Sequence, residues 1–266
     1  MSRKIYTAED HSWVICAYGE SRYLEECILS LKAQTVKSRI LMETSTPCEY
    51  IAALAEKYGI ELFINSGKAG ISGDWNCALR HVSTELATIA HQDDIYEPEY
   101  TEEMLQMMSR AGMPILYFTN YGELRNGEKV RNNKLLKIKR LLLIPVRIFP
   151  GRKFARRASL ALGNSICCPS VTYRQSVVGR DPFCDRYRSN LDWELTEKMS
   201  RQKGQFVYNP KIRMYHRIHE ESTTTEIIGD SLRTVEDYEI MKKFWPEWIA
   251  RRLSKAYAAS EKSNKT

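Results

Sequence analysis

Between residues 12 and 123, short apolar runs alternate with stretches whose apolar positions recur every three or four residues. This is the sequence form of βαβ units and a mainly parallel sheet. Trp13–Ala17 (WVICA) predicts a buried first strand. Leu24, Ile28, Leu29 and Leu31 predict a helix face over 21–34, with Ser21 as its N-cap. Arg39–Glu43 follows as a strand, Cys48–Tyr58 as a helix closed by Gly59, and Ile60–Ile64 as a third strand. A Gly-rich loop over 65–73 then feeds a helix over 74–82, and Leu86–Ala90 reads as a strand running directly into His91-Gln92-Asp93-Asp94. Pro98 opens another helix, and Pro114–Thr119 is a further strand.

Beyond a basic stretch the pattern resumes. Ile166–Tyr173 is β-like, Leu191–Arg201 helical, and Gln205–Tyr208 a short strand ended by Asn209-Pro210. Ser231–Phe244 predicts an amphipathic helix, and the chain closes on a polar tail. No repeat of fixed period is present, which excludes solenoids and propellers. The expected organisation is a nucleotide-binding half over 12–125, a basic amphipathic insert over 126–165 and an acceptor half over 166–225. Together they form one domain over 1–225, and a helical extension follows over 226–266.

Composition adds two exclusions. With 43% hydrophobic residues the chain can bury a core, which rules out wholesale disorder. The longest apolar run, Leu141–Val146, is far short of the ~20 residues that span a bilayer. No secretory signal is read at the N-terminus, and seven cysteines without a C-x-x-C pair read as reduced thiols. A cytoplasmic protein is the expectation, peripheral on the inner face of a membrane if the insert binds lipid.

Charge is distributed unevenly. The formal net charge is +7, yet residues 129–180 contain 13 Lys and Arg and no Asp or Glu. The rest of the chain holds 27 basic against 33 acidic residues, a balance of −6. One basic insert in an acidic protein points to a local anionic partner, and general nucleic-acid coating is not expected. Leu135, Leu136, Ile138, Leu141, Leu142 and Ile144, interleaved with Lys134, Lys137, Lys139 and Arg140, have two readings. They form either an amphipathic helix on an anionic leaflet, with 129–157 as the membrane contact, or a segment packed on the domain with its cations in solvent.

The candidate chemistry lies at the strand end. Open α/β sheets bind ligands outside the carboxyl ends of their strands, and Asp93-Asp94 falls there. Hard carboxylate oxygens suit Mg²⁺ or Mn²⁺, which can neutralise a departing diphosphate. As a bare dipeptide the pair also reads as a strand-terminating turn.

Several motifs in order carry a resemblance. Val14-Ile15-Cys16-Ala17-Tyr18-Gly19-Glu20-Ser21, the helix Tyr23–Thr35, the loop Gly70-Ile71-Ser72-Gly73-Asp74-Trp75-Asn76, His91-Gln92-Asp93-Asp94, Asp192-Trp193-Glu194-Leu195, and Tyr215-His216-Arg217-Ile218-His219 with Ser222-Thr223-Thr224 together resemble an inverting family 2 glycosyltransferase of the GT-A fold. The likeness covers roughly 12–225. It implies a Rossmann-like nucleotide-binding α/β fold, a nucleotide-sugar donor with UDP favoured, a divalent metal, and a glycan acceptor in bacterial-type cell-surface polysaccharide synthesis. The basic insert makes a lipid-linked acceptor the expectation. Residue by residue, the resemblance implies Asp93 and His219 at the metal. It puts Ala17, Tyr18, Glu43, Lys68, Asp74, His91, Asp94 and Arg217 around the donor, and Asp192 as the base. Two positions depart from the family pattern: His91 replaces the first Asp of D-x-D, and Glu43 stands where an Asp usually reaches the base.

Each residue has a plainer role beside this one. Asp192 also reads as a helix N-terminal acid complementing the macrodipole, with Glu194 its nearest rival as base. His219 reads as a surface histidine, with His216 a second choice of ligand. Lys68 and Arg217 read as solvated charges, and Asp74 as an N-cap. A nucleotidyltransferase would need a Gly-rich basic loop after the first strand, which Ala17-Tyr18-Gly19-Glu20 lacks. An RNA- or membrane-binding adaptor with a degenerate nucleotide site is the alternative outside enzymes.

Overall fold

The computed structural model describes residues 4–219 and 231–262, with side chains over 4–219 and 233–258. Ser222-Thr223-Thr224, and the boundary set at 225, lie outside the described residues.

The first half follows the βαβ pattern. Strand β1 (His11–Ala17) pairs in parallel with β2 (Arg39–Thr44) on one side and β4 (Leu86–His91) on the other, and β2 pairs with β3 (Glu61–Ile64). Six of the seven β1 residues are buried, the signature of a central strand covered on both faces. Helix α1 (Leu24–Lys32) buries Leu24, Cys27, Ile28 and Leu31, a single stripe at helical spacing. Leu29, expected on that stripe, is 49% exposed because it lies about 100° round the helix from Ile28. The helix also starts at Leu24, not at Ser21. Helix α2 (Glu49–Tyr58) ends as expected at Gly59, whose φ of 58° is the left-handed turn that glycine adopts without a Cβ clash. Helix α3 (Ile71–His81) starts three residues before Asp74, which puts that acid inside the first turn.

The second half departs further from its pattern. After the two-residue β5 (Ile95–Tyr96) and α4 (Tyr100–Arg110) comes β6 (Pro114–Arg125), double the expected length, turning through Asn126-Gly127 into β7 (Glu128–Val130). Three short helices form the basic insert: α5 (Lys134–Leu142), α6 (Ile144–Ile148) and α7 (Lys153–Ala158). Within Ile166–Tyr173 only the end is extended. A 3₁₀ turn (Cys168–Ser170) opens on Pro169, and β8 (Val171–Arg174) follows. After the short α8 (Gln175–Val178), α9 (Leu191–Ser200) precedes β9 (Gln205–Ile218), and helices α10 (Ser231–Met241) and α11 (Glu247–Lys262) close the chain.

The sheet runs β3-β2-β1-β4-β8-β6-β9-β5, with β7 beside β6. Strand β8 is antiparallel to both β4 and β6, whereas β6 and β9 are parallel. Two apolar clusters cover its faces, one around Trp13, Leu24, Ile28 and Met104, the other around Val14, Leu79, Phe118 and Trp193.

Strand β9 was expected to stop at Asn209-Pro210, yet it extends to Ile218. Pro210 cannot donate to a ladder, and the structure absorbs it as a bulge. Asn209 pairs with Thr119 and Ile212 with Asn120, so Pro210 and Lys211 are extruded. The Asn120 side chain donates to the Pro210 carbonyl at 2.6 Å, and pairing then resumes. This continuation carries Tyr215 opposite Ile95 and brings the last residues of β9 to the acidic turn.

Candidate functional site

The carboxyl ends of β2, β1 and β4 lie level. In register, Cys16 pairs with Glu43 on one side and His91 on the other, so these three residues form a row across three parallel strands. With strands about 4.8 Å apart, Glu43 and His91 are roughly 10 Å from each other. One end of the row runs into the acidic turn and the other is Glu43.

At the turn, each Asp meets a histidine, His216 within β9 or His219 just past its end. Asp94 is fully buried. Its Oδ1 lies 3.0 Å from His216 Nδ1 and accepts from the Arg217 backbone N–H at 2.9 Å. Asp93 Oδ2 lies 2.9 Å from His219 Nε2. Burial would raise the Asp93 pKa, but the His219 hydrogen bond and the positive field of His216 and His91 outweigh it and hold the carboxyl below its ordinary value. Burial likewise opposes charge on His216, but Asp94 dominates and lifts it to about 9. Arg217 is buried too. Its Nε donates to the Asp93 carbonyl at 2.8 Å, its guanidinium pairs with Glu26, and it stacks on Tyr23 at 4.2 Å.

Among the described residues, His91, Asp93 and Asp94 offer ligand atoms that all lie within 4.8 Å of one another. Asp94 Oδ2 and His91 Nε2 are buried without a hydrogen-bond partner, a costly arrangement that a cation would relieve. Carboxylate oxygens with one imidazole nitrogen suit Mn²⁺ or Mg²⁺, so the donor set fits the expected ion.

At the other end, Glu43 is fully buried, and neither of its oxygens meets a conventional donor. Burial, reinforced by the negative field of Asp74, pushes its carboxyl up to about 8. The Cys16 and Cys77 thiols lie against it and temper the rise. Asp74 accepts from Ser45 Oγ at 3.0 Å and Asn65 Nδ2 at 2.8 Å, so it ties the loop after β2 to the loop after β3 rather than capping α3. The preceding turn is tight. A Cβ on Gly73 would sit 1.9 Å from the Lys68 carbonyl oxygen, so only glycine lets the loop fold onto its helix.

Ala17 is buried and Tyr18 is 64% exposed. The Tyr18 backbone is held from both sides by Gln92, which accepts from its N–H at 2.9 Å and donates to its carbonyl at 3.0 Å. Lys68 pairs with Asp185 at 2.6 Å on the surface.

Asp192 occupies the first turn of α9, where buried Leu191, Leu195 and Met199 anchor it as expected. Its Oδ2 accepts from Asn164 Nδ2 at 2.7 Å, and burial raises its pKa despite that bond. The rival Glu194 turns toward the C-terminal helices and pairs with Lys243 at 3.2 Å. Asp192 and Asp94 share a neighbourhood. Burial raises the thiol pKa values of Cys167 and Cys168, and the negative fields of both Asp94 and Asp192 add to the rise.

Gln92, Glu26, Asn164 and Trp75, which stacks on His91 at 5.2 Å, were missed from sequence. Their partners lie 16 to 191 residues away along the chain, and no local pattern announces such pairings.

The basic insert packs part of its apolar residues on the domain. Leu136, Leu143, Val146 and Leu160 are buried against the domain, whereas Ile138, Leu141 and Ile144 remain exposed. Arg156 is buried and donates to the carbonyls of Ser200, Gln202 and Gly204, and Arg157 pairs with Glu197. Among the described residues, no helix is long and apolar enough to cross a membrane.

The profile described as Glycosyl transferase family 2 matches residues 12–180, while no curated protein matches the chain. Among solved structures, the chain is similar to S. aureus TarS 1-349 in complex with UDP-GlcNAc, with a TM-score of 0.63 and 15% identity over 92% of this chain and 70% of that one. It is also similar to the mannosyltransferase PcManGT from Pyrobaculum calidifontis in complex with GDP-Man and Mn²⁺, with a TM-score of 0.65 and 12% identity over 98% and 76%. It spans 42% of the longer crystallised S. aureus TarS chain, with a TM-score of 0.59 and 14% identity over 92% of this chain. At such identities the structures speak for the GT-A fold alone, and membership rests on the profile. Because that profile covers more than half of its length, the chain belongs to glycosyl transferase family 2.

Proposed function

We propose that the protein is a metal-dependent inverting hexosyltransferase, moving a sugar from a nucleoside-diphosphate donor, UDP favoured, to a hydroxyl of a lipid-linked glycan in polysaccharide biosynthesis. The observation that carries this reading is the convergence of Asp93, Asp94 and His219 at one end of a strand-end row that has Glu43 at the other. The neighbours bound to UDP-GlcNAc and to GDP-Man with Mn²⁺ support the donor class and the ion.

In this reading Glu43, Asp74, Ala17 and Tyr18 hold the nucleoside, while Lys68 and Arg217 face the diphosphate side. Asp93 and His219, with His91 and Asp94 Oδ2 beside them, would hold Mn²⁺ or Mg²⁺, which supplies charge neutralisation at the diphosphate. Asp94 braces the turn through His216. Asp192 takes the proton of the acceptor hydroxyl as that oxygen attacks the anomeric carbon. The glycosidic C–O bond breaks on the opposite face, and its electron pair departs on the diphosphate. The raised pKa of Asp192 brings a carboxylate nearer the range in which a general base works at neutral pH.

Asp192→Asn tests the assignment. Turnover should fall by about 10³, within the span of general-base contributions, while the thermal shift given by UDP with Mn²⁺ persists. Retained turnover would remove Asp192 from the role.

A further inference from the structure

The insert between β7 and β8 anchors itself with part of its basic residues and leaves the rest unused. Arg156 and Arg157 turn inward onto backbone carbonyls and Glu197, and Lys139 lies over the Tyr121 ring at 5.2 Å. The side chains of Lys134, Lys137, Arg147, Arg152 and Lys153 form no hydrogen bond or ion pair among the described residues.

Those five cations share their helix faces with exposed apolar side chains. On α5 the outward positions are Lys134, Lys137, Ile138 and Leu141, spaced i, i+3, i+4, i+7 opposite buried Leu136. On α6 they are Ile144, Arg147 and Ile148, opposite buried Val146. Arg152, Lys153 and Phe154 continue the surface at α7, and the Phe149 and Phe154 rings lie 6.0 Å apart. Of the fifteen large hydrophobic residues exposed among the described positions, six fall within 138–154, with Leu141 and Phe154 each 64% exposed. Such crowding into 17 residues, on three helices that pack in succession, is a local concentration and not scattered surface apolarity.

We infer that this face of α5–α7 is a docking surface for an anionic lipid bilayer. A segment without acids that mixes cations with protruding Leu, Ile and Phe matches a layer presenting phosphate headgroups over hydrocarbon, as interfacial helices do. A nucleic acid would use the charges but would leave Leu141, Ile148 and Phe154 in water. The surface belongs to the same segment whose inner side approaches Asp192 through Asn164, so docking would hold Asp192 on the membrane-facing part of the domain. The inference stands independently of glycosyl transfer.

The test is flotation of the full chain with phosphatidylcholine vesicles, with and without phosphatidylglycerol. Binding is expected only with phosphatidylglycerol, weakened by salt, and reduced roughly fivefold for each charge removed in the series K134Q, K137Q, R147Q, R152Q and K153Q. The triple variant L141S/I148S/F154S, altered only at exposed positions, should lose binding with its melting temperature unchanged. Equal binding to both vesicle types, or undiminished binding by the triple variant, overturns the inference. So does capture of single-stranded RNA by wild type and triple variant alike when neither binds vesicles.

Discussion

The two ends of the strand-end row bury the same functional group in opposite surroundings. At the turn, Asp93 and Asp94 each face a histidine, and Arg217 closes over both. At the other end Glu43 has no conventional donor, one acidic neighbour and two thiols. The first environment holds the Asp93 carboxyl below its ordinary value, which keeps it charged where a divalent ion is expected. The second favours the neutral acid, which can donate a hydrogen bond as well as accept one. A carboxylate's place in a strand-end row therefore does not set its chemistry; the residues folded over it do.

The most severe way to break this contrast is at Asp93. Asp93→Ala removes a proposed metal ligand and the partner of His219, and should lower turnover at least ~10³-fold, the scale of several kcal/mol that a metal contributes to charge stabilisation. The same variant should lose the Mn²⁺-induced shift in melting temperature. Persistence of that shift would move the ion elsewhere.

At Glu43 the effect is on stability and follows pH. Its folded pKa of about 8 lies above the ordinary value of 4.5, so the folded state holds the proton more tightly than the unfolded chain. That contribution is fully present below pH ~4.5 and is lost as pH rises through ~8, amounting to a few kcal/mol. Glu43→Gln mimics the neutral acid. Urea denaturation across pH 5 to 8 should show the wild type losing stability relative to this variant, and parallel profiles would mean that Glu43 is ionised throughout.

Arg217 links the turn to α1 through Glu26 and Tyr23. Arg217→Lys keeps a charge but not the planar fork that reaches the Asp93 carbonyl and Glu26 together, so kcat/KM should fall by about tenfold. Glu26→Gln should reproduce part of that loss if the positioning of Arg217 is what matters, and none of it if only the charge does.

How legible the molecule was differs between its halves for a physical reason. Strands β1–β4 and their helices declare themselves because each is a local pattern: a buried run, then a 3.6-residue stripe, then Gly59. The turn at Asp93-Asp94 was legible by position, since it directly follows a buried strand. The end of β9 was not. Asn209-Pro210 is a stop signal locally, and only pairing with β6, some 90 residues earlier, turns it into a bulge and lets His216 and His219 reach the turn. The insert was half legible: its charge was plain, but periodicity does not reveal that Leu136 faces the sheet while Leu141 faces solvent. Leu29 failed for the converse reason, since apolar character alone does not assign a helix face.

The smallest expected effect concerns Lys68, which separates the two readings of the loop between the two ends. It pairs with Asp185, and both side chains are more than half exposed, so the pair is weakly held and screened by salt. A lysine placed to meet a diphosphate must give up that partner first. Lys68→Ala should then raise the donor KM by about fivefold, a modest loss for one exposed charge, without changing kcat. Asp185→Asn should lower it slightly, because the ammonium is released toward the cleft. Opposite signs in the two variants would mark Asp185 as a competitor for Lys68. If both leave KM unchanged, the pair is surface decoration and the diphosphate depends on the turn alone.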